Sequence, residues 1–168
     1  MLLKKIAVFL TMATCFQLQA WPQQIVVVRH AEKQSGSQDP ALSVCGQQQA
    51  LAMAALVPAP VLQVWHSGLN RTRETAERMA SKWPEAQSQS YPAADFSSLL
   101  KALAATSQNS LVVGHSNTVP ALLAQLSRQA APELTEQDYG QVFVLERQQD
   151  SYHWQLLSIT PPLGCQKH

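Results

Sequence analysis

The sequence has almost no net charge. Twelve Lys and Arg stand against eleven Asp and Glu, leaving +1 at pH 7. Without a basic field there is nothing to attract nucleic acid, so a nucleic-acid partner is not expected. Only one long apolar run occurs, at the N-terminus, and nothing after it is fit to span a bilayer. There is no internal repeat, low-complexity tract or linker, which excludes a solenoid or a tandem-domain chain. No His/Cys/Asp cluster has the spacing of a zinc site, so no metal is expected. Cysteine is scarce as well, at three residues, one of them Cys15 inside the apolar run.

That run has the order of a secretory signal peptide over residues 1–20. Lys4 and Lys5 form a positive start, Ile6 to Leu18 is mostly apolar but short, and Gln19-Ala20 offers a cleavage point before Trp21. The alternatives are an uncleaved anchor and a lipoprotein modified at Cys15, for which Thr14 is a poor preceding residue. The expectation is export, most simply to a periplasm. Removing Lys4 and Lys5 leaves ten bases against eleven acids, a net charge of −1. Residues 21–168 amount to one domain with room for a core. Cys45 and Cys165 are then the two remaining thiols, and an exported chain permits a disulfide between them or leaves them separate.

Strand-like and helix-like runs alternate. Ile25–Val28, Val61–Trp65, Gln87–Tyr91 and Leu111–Val113 read as strands. Helices are expected over Gly46–Val57, Leu69–Lys82, Asp95–Ala105 and Val119–Arg128. Pro58 and Pro60 stop the first, Pro84 follows the second, and Asp95 is a possible N-cap of the third. Gln141–Arg147 and Tyr152–Ile159 alternate polar and apolar residues about a short turn, as a hairpin does. The pattern predicts an α/β fold: a three-layer αβα sandwich with a mostly parallel central sheet and an antiparallel C-terminal edge hairpin.

On that map, Arg29 and His30 follow the first strand, Ser67 follows the second with Arg71 opening the next helix, and His115 follows Leu111–Val113 after Gly114. Parallel strands put all of them on one sheet edge, where ligands of open α/β sheets bind. Helix N-termini favour anions, and arginine grips phosphate through two N–H groups. Two imidazoles and two guanidiniums there describe a pocket for a phosphoryl dianion. Taken singly, His30 could be a core histidine and Arg71 a solvated helix charge. Arg73 reads as solvated, and His66 more readily as structural than as a pocket residue.

The pieces Arg29-His30-Ala31-Glu32-Lys33, Ser67-Gly68-Leu69-Asn70-Arg71-Thr72-Arg73-Glu74-Thr75-Ala76 and Gly114-His115-Ser116-Asn117-Thr118 resemble the histidine phosphatase (phosphoglycerate-mutase-like) superfamily, with Asp39-Pro40-Ala41-Leu42-Ser43 leading to Gly46. The resemblance implies that His30 is a nucleophile forming a phosphohistidine, and that Arg29, Arg71 and His115 hold the phosphoryl oxygens without a cofactor. Asn117 is a further phosphate-binding candidate, with helix capping as its alternative. The general acid is open. Asp95 leads, Glu85 and Glu32 are the other carboxylates, and Ser116 stands where the acid-phosphatase branch has an acidic residue. The implied activity is that of an exported phosphatase hydrolysing a phosphomonoester or related phosphoryl group. Its partner would be a small phosphorylated substrate, a cell-envelope sugar phosphate by analogy of compartment. A phosphohistidine phosphatase and a non-catalytic phospho-ligand-binding protein are the alternatives. If Cys45 and Cys165 are bridged, the non-reduced mature protein will show no free thiol by mass-tagging, whereas two tagged thiols would exclude the bridge.

Overall fold

A computed structural model describes residues 20–165. The expected signal peptide lies outside the described residues, apart from Ala20. Among the described residues no helix is long and apolar enough to cross a membrane.

The elements run β1 (Gln24–Arg29), α1 (Val44–Leu56), β2 (Gln63–His66), α2 (Asn70–Ala80), β3 (Gln87–Ser90), α3 (Phe96–Ala104), β4 (Ser110–Gly114), α4 (Thr118–Ser127), β5 (Gln141–Gln148) and β6 (Ser151–Ser158). One six-stranded sheet has the order β3-β2-β4-β1-β5-β6. Strands β3, β2, β4 and β1 are mutually parallel, and β5 and β6 join antiparallel at the β1 side. This is the predicted mixed α/β architecture, with the hairpin at one edge.

The central strands are apolar on both faces because both faces are covered. Val26 and Val28 of β1 pack with Ala50, Met53, Ala76 and Met79 of α1 and α2. Ile25 and Val27 point the other way, towards Leu99, Leu103, Leu122 and Leu123 of α3 and α4. Each fully buried aliphatic side chain contributes roughly 1.5–3 kcal/mol. By contrast β3 is exposed along its whole length, which suits its Gln-Ser-Gln-Ser sequence and its edge position.

Local signals explain most boundaries. Helix α1 starts two residues before the expected Gly46, because the Ser43 hydroxyl accepts from the Gly46 N–H and caps it. It stops at Leu56, since Val57 precedes Pro58 and residues before proline avoid the helical region. In α4, Pro120 sits in the first turn, where its missing N–H has no intrahelical partner to lose.

Cys45, in the first turn of α1, forms a disulfide with Cys165 in the C-terminal tail. The bridge closes a separation of 120 residues. In the chain-entropy description a loop of that length contributes about 5 kcal/mol.

Gly46 lies against the β1–α1 connection so closely that an added Cβ would overlap the Glu32 carbonyl oxygen. That oxygen also accepts from Ser43 N at 3.0 Å and has little freedom to retreat. Gly46→Ala will therefore destabilise the protein by about 1–3 kcal/mol, measured by urea denaturation. Unchanged stability would show that α1 is not seated on Glu32.

Candidate active site

Strand register assembles the site. Arg29 of β1 lies opposite Gly114 of β4, and His66 of β2 lies opposite Val113. The residues that follow these strand ends, His30, Ser67 and His115, thus meet at one edge. The His30 N–H donates to the Gly114 carbonyl at 2.9 Å. Gly114 is required there, because a Cβ would come within 2.8 Å of Thr118 Oγ1 and 3.2 Å of Val119 Cγ2 at the start of α4.

His30 is only 2% exposed. Its Nδ1 is 2.8 Å from the Ala31 carbonyl oxygen, which can only accept. Nδ1 therefore carries the proton, and the lone pair is on Nε2. Burial drives its pKa down to about 3, assisted by Arg29, His115 and Arg71 and opposed by the Ala31 carbonyl. The ring is neutral across the physiological range, the state in which an imidazole can attack phosphorus.

The His115 ring meets His30 edge-on, with centroids 5.4 Å apart. Its Nε2 is 2.8 Å from Ser67 Oγ, and Ser67 Oγ is 2.9 Å from Thr72 Oγ1. Thr72 donates its own hydroxyl to the Leu69 carbonyl. Ser67 must then donate to Thr72 and accept from His115, which puts the His115 proton on Nε2. Burial lowers the His115 pKa to about 4, helped by Arg71 and Arg29 and opposed by Glu136.

Arg71 stands in the first turn of α2, with its guanidinium 3.6 Å from Asp39. The rest of that motif has legible work. Thr75, one turn on, accepts from the Ala31 N–H at 3.0 Å and donates to the Arg71 carbonyl at 2.7 Å. Glu74 accepts from the Leu42 N–H. Arg73 is half exposed and pairs with Glu77 and Asn70, as the solvated reading expects.

Arg29 is 2% exposed and largely engaged by the segment before β5. Its Nη1 donates to the carbonyls of Thr135 at 2.6 Å and Asp138 at 3.2 Å. Its Nη2 pairs with Glu136 at 3.2 Å, and Tyr139 covers its face at 4.3 Å. The Nε atoms of Arg29 and Arg71 are buried without a hydrogen-bond partner among the described residues. Buried donors are normally satisfied, so these two are apt for ligand oxygens.

The other carboxylate candidates are placed elsewhere. Asp95 is the N-cap of α3, the alternative left open by the sequence; its carboxylate accepts from Ser97 N at 2.8 Å and Ser97 Oγ at 3.0 Å. Those bonds hold its pKa below the ordinary carboxylate range. Glu85 precedes β3 and lies at the amino edge, opposite the site. Glu32 accepts from Ser43 Oγ at 2.5 Å and helps hold the loop after His30. Asn117 occupies the N-cap position of α4, exposed and without a side-chain capping bond. Thr118 Oγ1 instead accepts from His115 N. His66 Nδ1 accepts from Gly68 N, a structural role.

Sequence reasoning missed residues 135–139. They lie in a segment without helical or strand periodicity, so no pattern marked them. The available signal was indirect: a buried Arg29 demands oxygen partners from somewhere.

Titration of the two imidazoles links the site to stability. Their folded pKa values lie below the ordinary 6.5. The unfolded chain therefore binds more protons, and stability is full above 6.5 and declines as pH falls towards about 3 to 4. Melting temperature should drop across that window, and less steeply in His30→Ala; equal slopes would contradict a buried neutral His30.

Residues 25–90, from β1 through β3, match the family model of the histidine phosphatase superfamily (branch 1). The match includes Arg29, His30 and Arg71, and ends before His115. None of the curated proteins matches the chain in sequence. Among solved structures, the protein histidine phosphatase SixA in complex with tungstate superposes with a TM-score of 0.68 at 18% identity, covering 80% of this chain and 96% of that one. A mycobacterial glucosyl-3-phosphoglycerate phosphatase with inorganic phosphate gives 0.60 at 18% identity, over 82% and 96%. TTHB049 from Thermus thermophilus gives 0.57 at 16% identity, over 81% and 99%. At these identities the structures attest the shared fold, and the likeness to the family lies in residues 25–90. Residues 25–90 are thus similar to the histidine phosphatase superfamily, and the chain shares its fold with solved phosphatases.

Proposed function

We propose that this protein hydrolyses a phosphomonoester or related phosphoryl group through a phosphohistidine on His30. The observation that carries this reading is the bond from His30 Nδ1 to the Ala31 carbonyl, which leaves a neutral Nε2 lone pair at the strand edge. Phosphoryl transfer asks mainly for alignment and charge stabilisation. Arg71 and the unpartnered Nε of Arg29 supply positive charge and donors beside that lone pair. His115 donates to Ser67 in the free site and offers a second donor once an entering dianion raises its pKa. Water then attacks the phosphohistidine, releases phosphate and restores the imidazole.

A small phosphorylated molecule is the substrate class. One structural neighbour is named for glucosyl-3-phosphoglycerate, which supports a sugar phosphate, with the cell envelope as its source by analogy of compartment. The likeness to SixA supports phosphohistidine as a second substrate class, and so does Asp95's occupation as a cap, because a nitrogen leaving group needs less acid assistance than an alkoxide. Export is favoured by the charged-then-apolar N-terminus and by the Cys45–Cys165 bridge, since disulfides persist in oxidising compartments.

The purified mature chain will hydrolyse a generic aryl phosphate, and His30→Ala will lower kcat/KM at least about a thousandfold with its fold intact. Activity surviving in His30→Ala would remove the nucleophile. An inactive parent across a broad phosphoester and phosphohistidine panel would leave a phospho-ligand-binding protein.

A further inference from the structure

The pocket holds a carboxylate that neither the motif nor the segment after α2 supplies. Glu136 comes from the connection between α4 and β5. Its Oε2 pairs with Arg29 Nη2 at 3.2 Å, and its Oε1 accepts from Ser116 Oγ at 2.6 Å. It therefore bridges the neighbours of both site histidines: Arg29 precedes His30, and Ser116 follows His115. Arg29, His30 and His115 form a buried floor, whereas the Glu136 side chain is 70% exposed. An in-line attack from the buried His30 sends the leaving group towards solvent, and Glu136 is the exposed carboxylate tied to the neighbours of both site histidines.

The remaining carboxylates nearby are engaged in structure. Asp95 caps α3, Asp39 accepts from the Asn70 N–H and pairs with Arg71, Glu74 accepts from Leu42 N, Glu32 accepts from Ser43, and Asp138 accepts from the N–H and hydroxyl of Thr135. Among the described residues, Glu136 is bonded to Arg29 and Ser116, and its side chain faces solvent.

Resting on the phosphohistidine reading above, we propose that Glu136 is the catalytic residue that handles the proton in both half-reactions. In the first, the bond from His30 Nε2 to phosphorus forms, the bond from phosphorus to the leaving oxygen breaks, and the Glu136 carboxyl gives its proton to that oxygen. In the second, a water oxygen bonds to phosphorus, the Nε2–phosphorus bond breaks, and the water proton passes to Glu136. Hydrogen phosphate leaves, and His30 is again neutral with its proton on Nδ1. The free pocket holds Glu136 ionised: Ser116 lowers its pKa most, then Arg29, His30 and Lys33, against partial burial. A phosphoryl dianion beside it pushes the other way, so the carboxyl takes up a proton as substrate enters. The proton given to the leaving group is then replaced by the one from water.

The test compares Glu136→Gln with the parent on a series of aryl and alkyl phosphates, with the phosphoenzyme trapped in acid-free quench. Alkyl phosphates should lose about a hundredfold or more in kcat/KM, and 4-nitrophenyl phosphate less than about tenfold. The dependence on leaving-group pKa should steepen, and phosphohistidine should accumulate during aryl phosphate turnover. Equal losses for all leaving groups without accumulation would overturn the proposal and reduce Glu136 to a support of Arg29. Should Glu136→Gln fold poorly, Glu136→Asp, which keeps a carboxylate for Arg29, is read in the same way: a leaving-group dependence unchanged from the parent at reduced rate supports proton handling through a displaced carboxyl, and a steepened one without accumulation opposes it. Loss of the His30 phosphoenzyme in the parent would instead refute the underlying function, so the two failures are distinct.

Discussion

The architecture of the site turns on a buried guanidinium. Arg29 is the last residue of a strand sealed on both faces, and its charge is almost wholly removed from water. An ion in that position costs several kcal/mol unless oxygens replace its hydration. The carbonyls of Thr135 and Asp138, the Glu136 carboxylate and the ring of Tyr139 do so. In meeting that demand, a segment without regular structure is drawn across the carboxyl edge of the sheet. It brings Glu136 against Arg29 and Ser116, and Tyr139 to within 6.1 Å of the His30 ring.

The loop after His30 is held from a second side. Ala31 N donates to Thr75 of α2, and Glu32 N donates to Gln49 of α1. Glu32 also packs its carbonyl against Gly46 and its carboxylate against Ser43. Both helices on that face therefore grip the residue pair that follows His30. The disulfide at Cys45 fastens the same helix start to the C-terminal tail. Stability of the α1 end and position of His30 are coupled through these contacts, since a nucleophile displaced by an ångström loses alignment.

Electrostatically the site is a set of fixed cations around two uncharged imidazoles. Burial and the arginines keep His30 and His115 neutral, so the positive charge that greets an anion comes from Arg29 and Arg71. In the proposed reaction the neutral His30 attacks and the proton falls to Glu136, a carboxylate exposed to solvent. This division explains how one edge can both attract a dianion and attack it.

Much of this was legible in the sequence because it rests on local pattern. The run Ile25–Val28 declared a strand buried on both faces, the prolines at 58 and 60 ended α1, and Asp95 announced a cap as readily as an acid. Spacing placed Arg29, His30 and His115 at strand ends and Arg71 at the start of a helix, and parallel pairing does the rest. Residues 135–139 were not legible, because their roles depend on where an aperiodic segment crosses a buried charge rather than on any repeat. Nor could sequence choose between capping and catalysis for Asp95, or between bridged and separate cysteines, since both are questions of distance in space. Sequence by itself determined the sheet, its helices and the residues at its reactive edge, through hydrophobic period and backbone chemistry. Only the tertiary structure decided which of Arg29's donors are spent, which nitrogen of His30 bears the proton, and which carboxylate stands against Arg29, because each follows from contacts between segments far apart in the chain.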